Sequence, residues 1–235
     1  MDDPLGVIES EETLKPTGTL ASTVYQQLRT DILKGRFEPG SKLRLQYLAK
    51  QYNVGNSPLR EALNRLSSNG LVTREENKGF RVSTASIAEL EELIRTRCML
   101  EETALRESVE FGDAAWEERV VLTFHRLNRL EETAGGQEQH RTPEWEVAHR
   151  EYHIALLSAC GSNILLDFCR QLHEQTLRYR SLVEVVEYRD IHECGEHRKI
   201  QDAVLARDVE KAVEMLHAHY VVTLDIIKSS GVLDS

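Results

Sequence analysis

The sequence predicts a mainly α protein in two parts: three small helices closed by a β-hairpin, then an all-α bundle of six helices. Three observations carry that expectation. Apolar residues recur at helical spacing along nearly the whole chain, alternation appears only around the polar loop EENKG, and charge divides the sequence in two. Residues 21–85 hold eleven Lys/Arg against five Asp/Glu, a net of +6; residues 86–235 hold seventeen against twenty-nine, a net of −12, and all nine histidines. The overall −10 averages over segments of opposite sign, which implies two tasks in one chain.

Residues 1–18 mix acidic residues with Pro, Gly and Thr and read as a flexible tail without the basic-then-apolar pattern of a leader. Val24, Tyr25, Leu28 and Ile32 predict a helix over 20–34 that Gly35 stops. The turn FEPGSK follows, then a short helix over 45–51. The third helix opens at NSP, with Asn56 or Ser57 as cap and Pro58 in the first turn. Its Leu59, Ala62, Leu63 and Leu66 form an apolar face; Ser57, Arg60 and Asn64 lie on another. Asn69-Gly70 ends it. LVTR and FRVS around EENKG read as a hairpin, so residues 19–84 predict a winged helix-turn-helix.

After the linker STAS, residues 85–235 show only helical periodicity. Helices are expected over 86–110, 113–133, 144–160, 163–187, 190–206 and 208–229, with Asp113, Asn163 and Asp208 as caps. No apolar run approaches bilayer-crossing length, and Cys98, Cys160, Cys169 and Cys194 lack C-x-x-C spacing. These features predict a cytoplasmic protein with reduced thiols and no membrane partner.

A basic helix-turn-helix suits double-stranded DNA: phosphate contacts supply affinity, and a few side chains on the third helix read base edges. Arg60 can reach guanine O6 and N7 from that helix; otherwise it is a surface arginine paired with an acid. In the second part, WEVAHREYHIAL places His149 and His153 four apart on one helical face, a spacing that suits a metal. Arg150 follows the first histidine, where a zinc protease needs glutamate, and no G-x-S-x-G occurs, so the chain predicts no enzyme. Leu90, Ile94, Arg97, Glu101 and Ala104 fall on one stripe, which predicts an Arg97–Glu101 ion pair on an apolar face.

The stretch LAKQYNVGNSPLREALNRLSSNGLV with NKGFRV resembles the DNA-binding domain of GntR-superfamily regulators. That resemblance implies DNA contacts from Asn56, Ser57, Arg60 and the wing at Lys78-Gly79; the helix face adds Asn64. The family usually has arginine where Asn56 stands, and asparagine prefers adenine, so the operator is expected to depart from the usual one. R-x-x-LE at 97–101, the His153 segment with Gly161 and Asn163, EH-x-x-I-x-x-A at 196–203, Asp208, Ala212 and His219 resemble the all-helical FCD effector domain of the FadR-type branch. Six helices resemble its VanR-like subgroup, and the whole chain is similar to CsiR-type repressors.

The resemblance implies a divalent metal held by His149, His153, His197 and His219, with His149 standing where the family usually has aspartate. An all-histidine set suits zinc, with nickel as alternative, rather than calcium or magnesium. Periodicity leaves His217 and His219 as alternatives; the resemblance selects His219. His125, His140, His173 and His192 read as ordinary solvated or packing residues, and Trp145 and Tyr152 as core. The resemblance also places Arg97 in an effector pocket that Arg180 either joins or leaves for solvent. A metal with no carboxylate ligand, beside arginines, predicts a small carboxylic-acid effector, a dicarboxylate by the CsiR-type likeness. The expected function is a homodimeric, metabolite-responsive repressor on a palindromic operator. The alternatives are a metal-containing helical enzyme fused to a DNA-binding domain, and an architectural DNA-binding protein that does not switch.

Overall fold

The computed structural model describes residues 19–76, 78–133, 142–183, 194–231 and 233. Helix α1 (Leu20–Leu33) starts where Thr19 Oγ1 accepts from Ser22 N at 3.2 Å and stops at Gly35, whose φ of +68° ends the helical path. Helix α2 (Leu45–Gln51) and helix α3 (Asn56–Ser68) follow. The cap of α3 is Gly55, which has no side chain to offer; Asn56 and Ser57 are already inside the helix, and their exposed side chains do not serve as its cap. The sequence expectation of an Asn56 or Ser57 cap is thereby corrected.

Strands β2 (Val72–Glu75) and β3 (Gly79–Val82) form the expected antiparallel hairpin, with Val72 opposite Val82 and Glu75 opposite Gly79. A third strand, β1 (Lys42–Leu43), pairs with the other edge of β3, giving the order β1-β3-β2. Two residues are too few for alternation to reveal. Leu28, Leu48, Leu59, Leu63 and Leu66 join Leu71 and Phe80 in one core beneath the sheet.

The second part is helical throughout its described residues: α4 (Ile87–Phe111), α5 (Ala114–Thr133), α6 (Pro143–Leu157), α7 (Asn163–Val183), α8 (Cys194–Leu205) and α9 (Val209–Ser229). Asp113 accepts from Trp116 N at 2.8 Å and Asp208 from Lys211 N at 3.0 Å, as their cap positions predict. At α7 the capping oxygen belongs to Ser162, which accepts from Leu165 N at 3.2 Å, rather than to Asn163. Helix α6 ends three residues before the expected 160, in a turn where Ser158 Oγ donates to Ala155 O. The tail, His140, His192 and residues 184–187 and 190–193 of the two expected helices lie outside the described residues.

Helices α4 and α9 pack along each other, α4 also lies on α7, and α8 lies on α9. Trp145 and Tyr152 are buried in this core. Helix α7 faces two ways. Its Glu174 takes an ion pair from Arg29 of α1 at 2.7 Å, and Arg178 Nη1 donates to the Gly70 carbonyl at 2.8 Å. Arg178 Nη2 donates to Glu89 of α4 at 3.0 Å. Gly70 fits this seam because φ is +72° and because a Cβ there would stand 3.0 Å from Gln175 Cγ. No helix among the described residues is long and apolar enough to cross a membrane.

Candidate functional site

Asn56, Ser57, Arg60 and Asn64 are all exposed on α3, and Lys78 and Gly79 are exposed at the wing. Gly79 has φ +95°, which bends the chain from the loop into β3 in a way L side chains rarely permit. Arg60 makes no ion pair among the described residues. Arg65 and Arg81, by contrast, are occupied: one lies 4.3 Å from the Tyr25 ring centroid, and the other binds Glu75 and the Gly40 carbonyl. Lys42, Arg44 and Lys50 are exposed cations of the same part.

In the bundle, three helices deliver four histidines to one point: His149 and His153 from α6, His197 from α8 and His219 from α9. They are 2%, 1%, 0% and 2% exposed, and one nitrogen of each lies within 4.8 Å of the others. His149 and His153 meet because they are one turn apart, with ring centroids 4.4 Å from each other. The centroids of His197 and His219 are 4.7 Å apart. Burial, the largest cause, pushes His149 and His153 well below 6.5; Arg180 adds to the effect on His149, and the neighbouring histidines add to it on His153. They are neutral at pH 7, as metal ligation requires.

Two of the outer nitrogens have carboxylate partners. His197 Nδ1 is 3.1 Å from Glu131 Oε1 and His219 Nδ1 is 3.0 Å from Glu196 Oε2, the carboxylate support typical of metal-binding imidazoles. With its Nδ1 proton on Glu131, His197 turns an Nε2 lone pair inward, and that buried atom has no hydrogen-bond partner among the described residues. Leaving such an acceptor dry costs about 1–3 kcal/mol, and a cation would relieve it. Two nitrogens on one zinc stand no more than about 4.2 Å apart, so modest closure of the cluster suffices. The residues fit a divalent transition metal.

The arginines frame the cluster. Arg97 pairs with Glu101 at 2.8 Å, as the helical stripe predicts, and also donates to Thr176 Oγ1 at 3.1 Å and Tyr220 Oη at 3.0 Å. Arg180 is buried and not solvent-facing; it pairs with Glu146 and points Nη1 at His149 Nδ1, 3.2 Å away. Its Nε has no partner among the described residues. His173, read from sequence as an ordinary residue, is buried in the cluster wall with its ring 5.7 Å from His149 and 5.9 Å from His153. Its signal was available: His173, Thr176 and Arg180 form a polar stripe on α7 at helical spacing. Trp145, expected simply as core, stacks on His149 at 4.6 Å. His125 is exposed, and His217 faces Glu102 away from the cluster, which leaves His219 as the inward member of that pair. A cleft of about 410 Å³ between α1, α6 and α7 reaches Glu146 and His173 from the side of the DNA-reading part.

An exposed recognition helix joined to a buried metal-capable cluster defines a DNA-binding regulator with a helical sensor. Residues 20–82 match the model of bacterial regulatory proteins of the gntR family, and residues 92–221 match the FCD domain. The chain belongs to the gntR family, in the branch that carries an FCD domain, and is a transcriptional regulator rather than an enzyme. It is 39% identical to BphR of Paraburkholderia xenovorans, an uncharacterized HTH-type transcriptional regulator, over 92% of this chain and 88% of that one. It is 32% identical to the HTH-type transcriptional repressor GlaR of Escherichia coli, over 88% and 94% of the two chains. The fold superposes on E. coli McbR/YncC with a TM-score of 0.71 at 22% identity, covering 91% and 99%.

Proposed function

We propose that the protein is a homodimeric repressor that leaves a palindromic operator when a small carboxylic acid binds beside a divalent metal. The observation that carries this reading is the convergence of four buried histidines, one with an inward nitrogen that has no partner among the described residues, beneath two buried arginines. His149, His153, His197 and His219 are the cluster that would hold the metal, zinc first and nickel second, since neutral imidazoles suit these ions. When bound, such an ion supplies a local positive charge that attracts an anion.

The chain's own residues set the rest. Arg97 orders Glu101, Tyr220 and Thr176, while Arg180 brings to a buried site an Nε–H with no partner among the described residues, which a carboxylate can accept. Asn56, Ser57, Arg60, Asn64, Lys78 and Gly79 form the DNA-reading face in a domain spanning 19–84, and residues 85–235 form the sensor. The similarity to GlaR, itself called a repressor, favours release over activation. Six described sensor helices favour the VanR-like subgroup, and a DNA-bound regulator belongs in the cytoplasm.

Footprinting the DNA upstream of the protein's own gene, followed by mobility-shift titration with metabolic acids, tests the reading. One acid should release a sequence-specific complex of the metal-loaded protein. A complex that no ligand releases would instead indicate a non-switching architectural protein.

A further inference from the structure

The hydrogen bonds in the cluster run in one direction. A guanidinium can only donate, so the Arg180 contact at 3.2 Å requires His149 Nδ1 to accept. A neutral His149 must then carry its proton on Nε2, the atom that faces the cluster. That Nε2 lies 3.1 Å from His153 Nε2, which must accept, so His153 carries its proton on Nδ1. Next to His153 Nδ1, at 3.4 Å, is Tyr220 Oη, which gives its own proton to Glu101 and accepts from Arg97. The run Arg180 to His149 to His153 to Tyr220 to Glu101 is consistent at every step. Three histidines present Nε2 lone pairs under this assignment: His153, backed by Tyr220; His197, backed by Glu131; and His219, backed by Glu196. His149 alone presents an N–H.

We infer that His149 meets the site as a hydrogen-bond donor to the anion bound there, while His153, His197 and His219 supply the metal's nitrogen ligands. The inference rests on the metal reading, and it gives His149 a ligand-selecting role in place of a coordinating one. Arg180 fixes the tautomer; Glu146 holds Arg180 by an ion pair, and Trp145 stacks on the His149 ring at 4.6 Å to fix its plane. If a cation took the His153 Nε2 lone pair, the His149 Nε2–H would stay on its nitrogen, lose that acceptor and be free to donate to an anion bound there. A carboxylate oxygen can accept it. An ammonium group or an alkyl end cannot, so the site selects an anionic oxygen at that point.

The test uses full-length protein labelled with nitrogen-15 at histidine, as wild type, His149→Gln, which keeps an N–H donor, and His149→Phe, which keeps only an aromatic ring. Long-range proton–nitrogen correlation should show His149 as the Nε2–H tautomer both before and after zinc, its signal assigned by its loss in the variants. X-ray absorption at the zinc edge should count three imidazoles in all three proteins. Acetate, the probe carboxylate, should bind the zinc-loaded His149→Phe protein about tenfold or more weaker, because a hydrogen bond to a charged group is lost, and His149→Gln within about threefold of wild type. An Nδ1–H tautomer, loss of the Nε2 proton on zinc loading, a fall of one imidazole in the variants, or unchanged acetate affinity in His149→Phe would overturn the assignment. Failure of wild type to take up zinc would show separately, as the failure of the metal reading and of the anion role built on it.

Discussion

Arg60 and the buried histidines are opposite kinds of residue, and each makes a measurable claim. Arg60 is exposed and makes no ion pair among the described residues, so its guanidinium is available to a guanine edge. Arg60→Ala should weaken operator binding by about 1–3 kcal/mol while leaving salt-dependent nonspecific binding in place. Competition gel shifts with operator and random duplex measure both; equal operator selectivity in the variant would displace α3 as the reading element. Lys78→Gln should instead weaken all sequences alike and reduce the salt slope by about one. The histidines make a claim about pH. In the unfolded chain they titrate near 6.5, whereas in the fold His149, His153 and His173 are held well below that by burial first and by nearby cations or histidines second. Below pH 6.5 the unfolded chain therefore binds more protons than the folded one. Stability of the metal-free protein should be level above about pH 7 and should fall as pH drops through 6.5 toward the depressed folded values. Urea midpoints taken from pH 8 to pH 5 check this, and stability that rose on acidification would contradict the burial of neutral imidazoles. At this scale the sequence was informative wherever a single helix carried the signal. The Arg97–Glu101 pair and the His149–His153 spacing follow from one turn of helix. Glu131, Glu196 and Tyr220, which orient or buttress the histidines from α5, α8 and α9, are partners that periodicity along one element cannot identify.

Among the elements, α7 most directly joins the two parts. His173, Thr176 and Arg180 face the histidine cluster or its arginines, while Glu174, Gln175 and Arg178 face the DNA-reading part. Helix α4 follows the wing directly and carries Arg97, which makes it one path between the two parts. The structure ties α7 to that path: Arg178 holds the Gly70 carbonyl and Glu89 at once, so the end of α3 and the start of α4 share one guanidinium. Arg178→Met should retain DNA binding and metal content but reduce release by effector, measured as the ratio of operator affinities with and without that effector. An unchanged ratio would leave α4 as the sole carrier. Gly70→Ala should cost about 1–2 kcal/mol through its left-handed backbone, and it forces Gln175 to move as well. Helix boundaries were legible where a capping side chain falls at its expected place, as at Asp113 and Asp208. They slipped at α3 and α7, where two or more adjacent polar or small residues compete for the cap and only the backbone decides.

For the whole molecule, a basic reading part and an acidic sensor share one chain without cancelling each other's function. The buried arginines place positive charge inside an otherwise acidic unit, and the effector is expected to carry the opposite sign. Calorimetry of metal-loaded protein with a panel of metabolic acids should find one that binds, with a loss of about tenfold or more in Arg180→Gln, because a charge-assisted hydrogen bond is removed. An uncharged effector, or equal binding without metal and without Arg180, would remove the electrostatic basis of the site. The fold class and the two-part division were legible because periodicity, turn residues and charge asymmetry agreed across long stretches. The convergence of α6, α8 and α9 was not legible from spacing; it is a tertiary fact that only the family resemblance anticipated.

The seam between the two parts has a consequence for how such proteins diversify. One of its anchors, the Gly70 oxygen that accepts from Arg178, is a backbone atom and does not depend on the side chain at that position. Any reading head whose third helix ends in a left-handed glycine offers the same acceptor at the same place. A chimera carrying a foreign head on residues 85–235, with an arginine kept opposite Glu174, should therefore dock its head and answer this sensor's own effector at a new operator. The sensor is in this respect an interchangeable cartridge, and recombination within a genome can rewire which promoter hears a given metabolite without redesigning the junction.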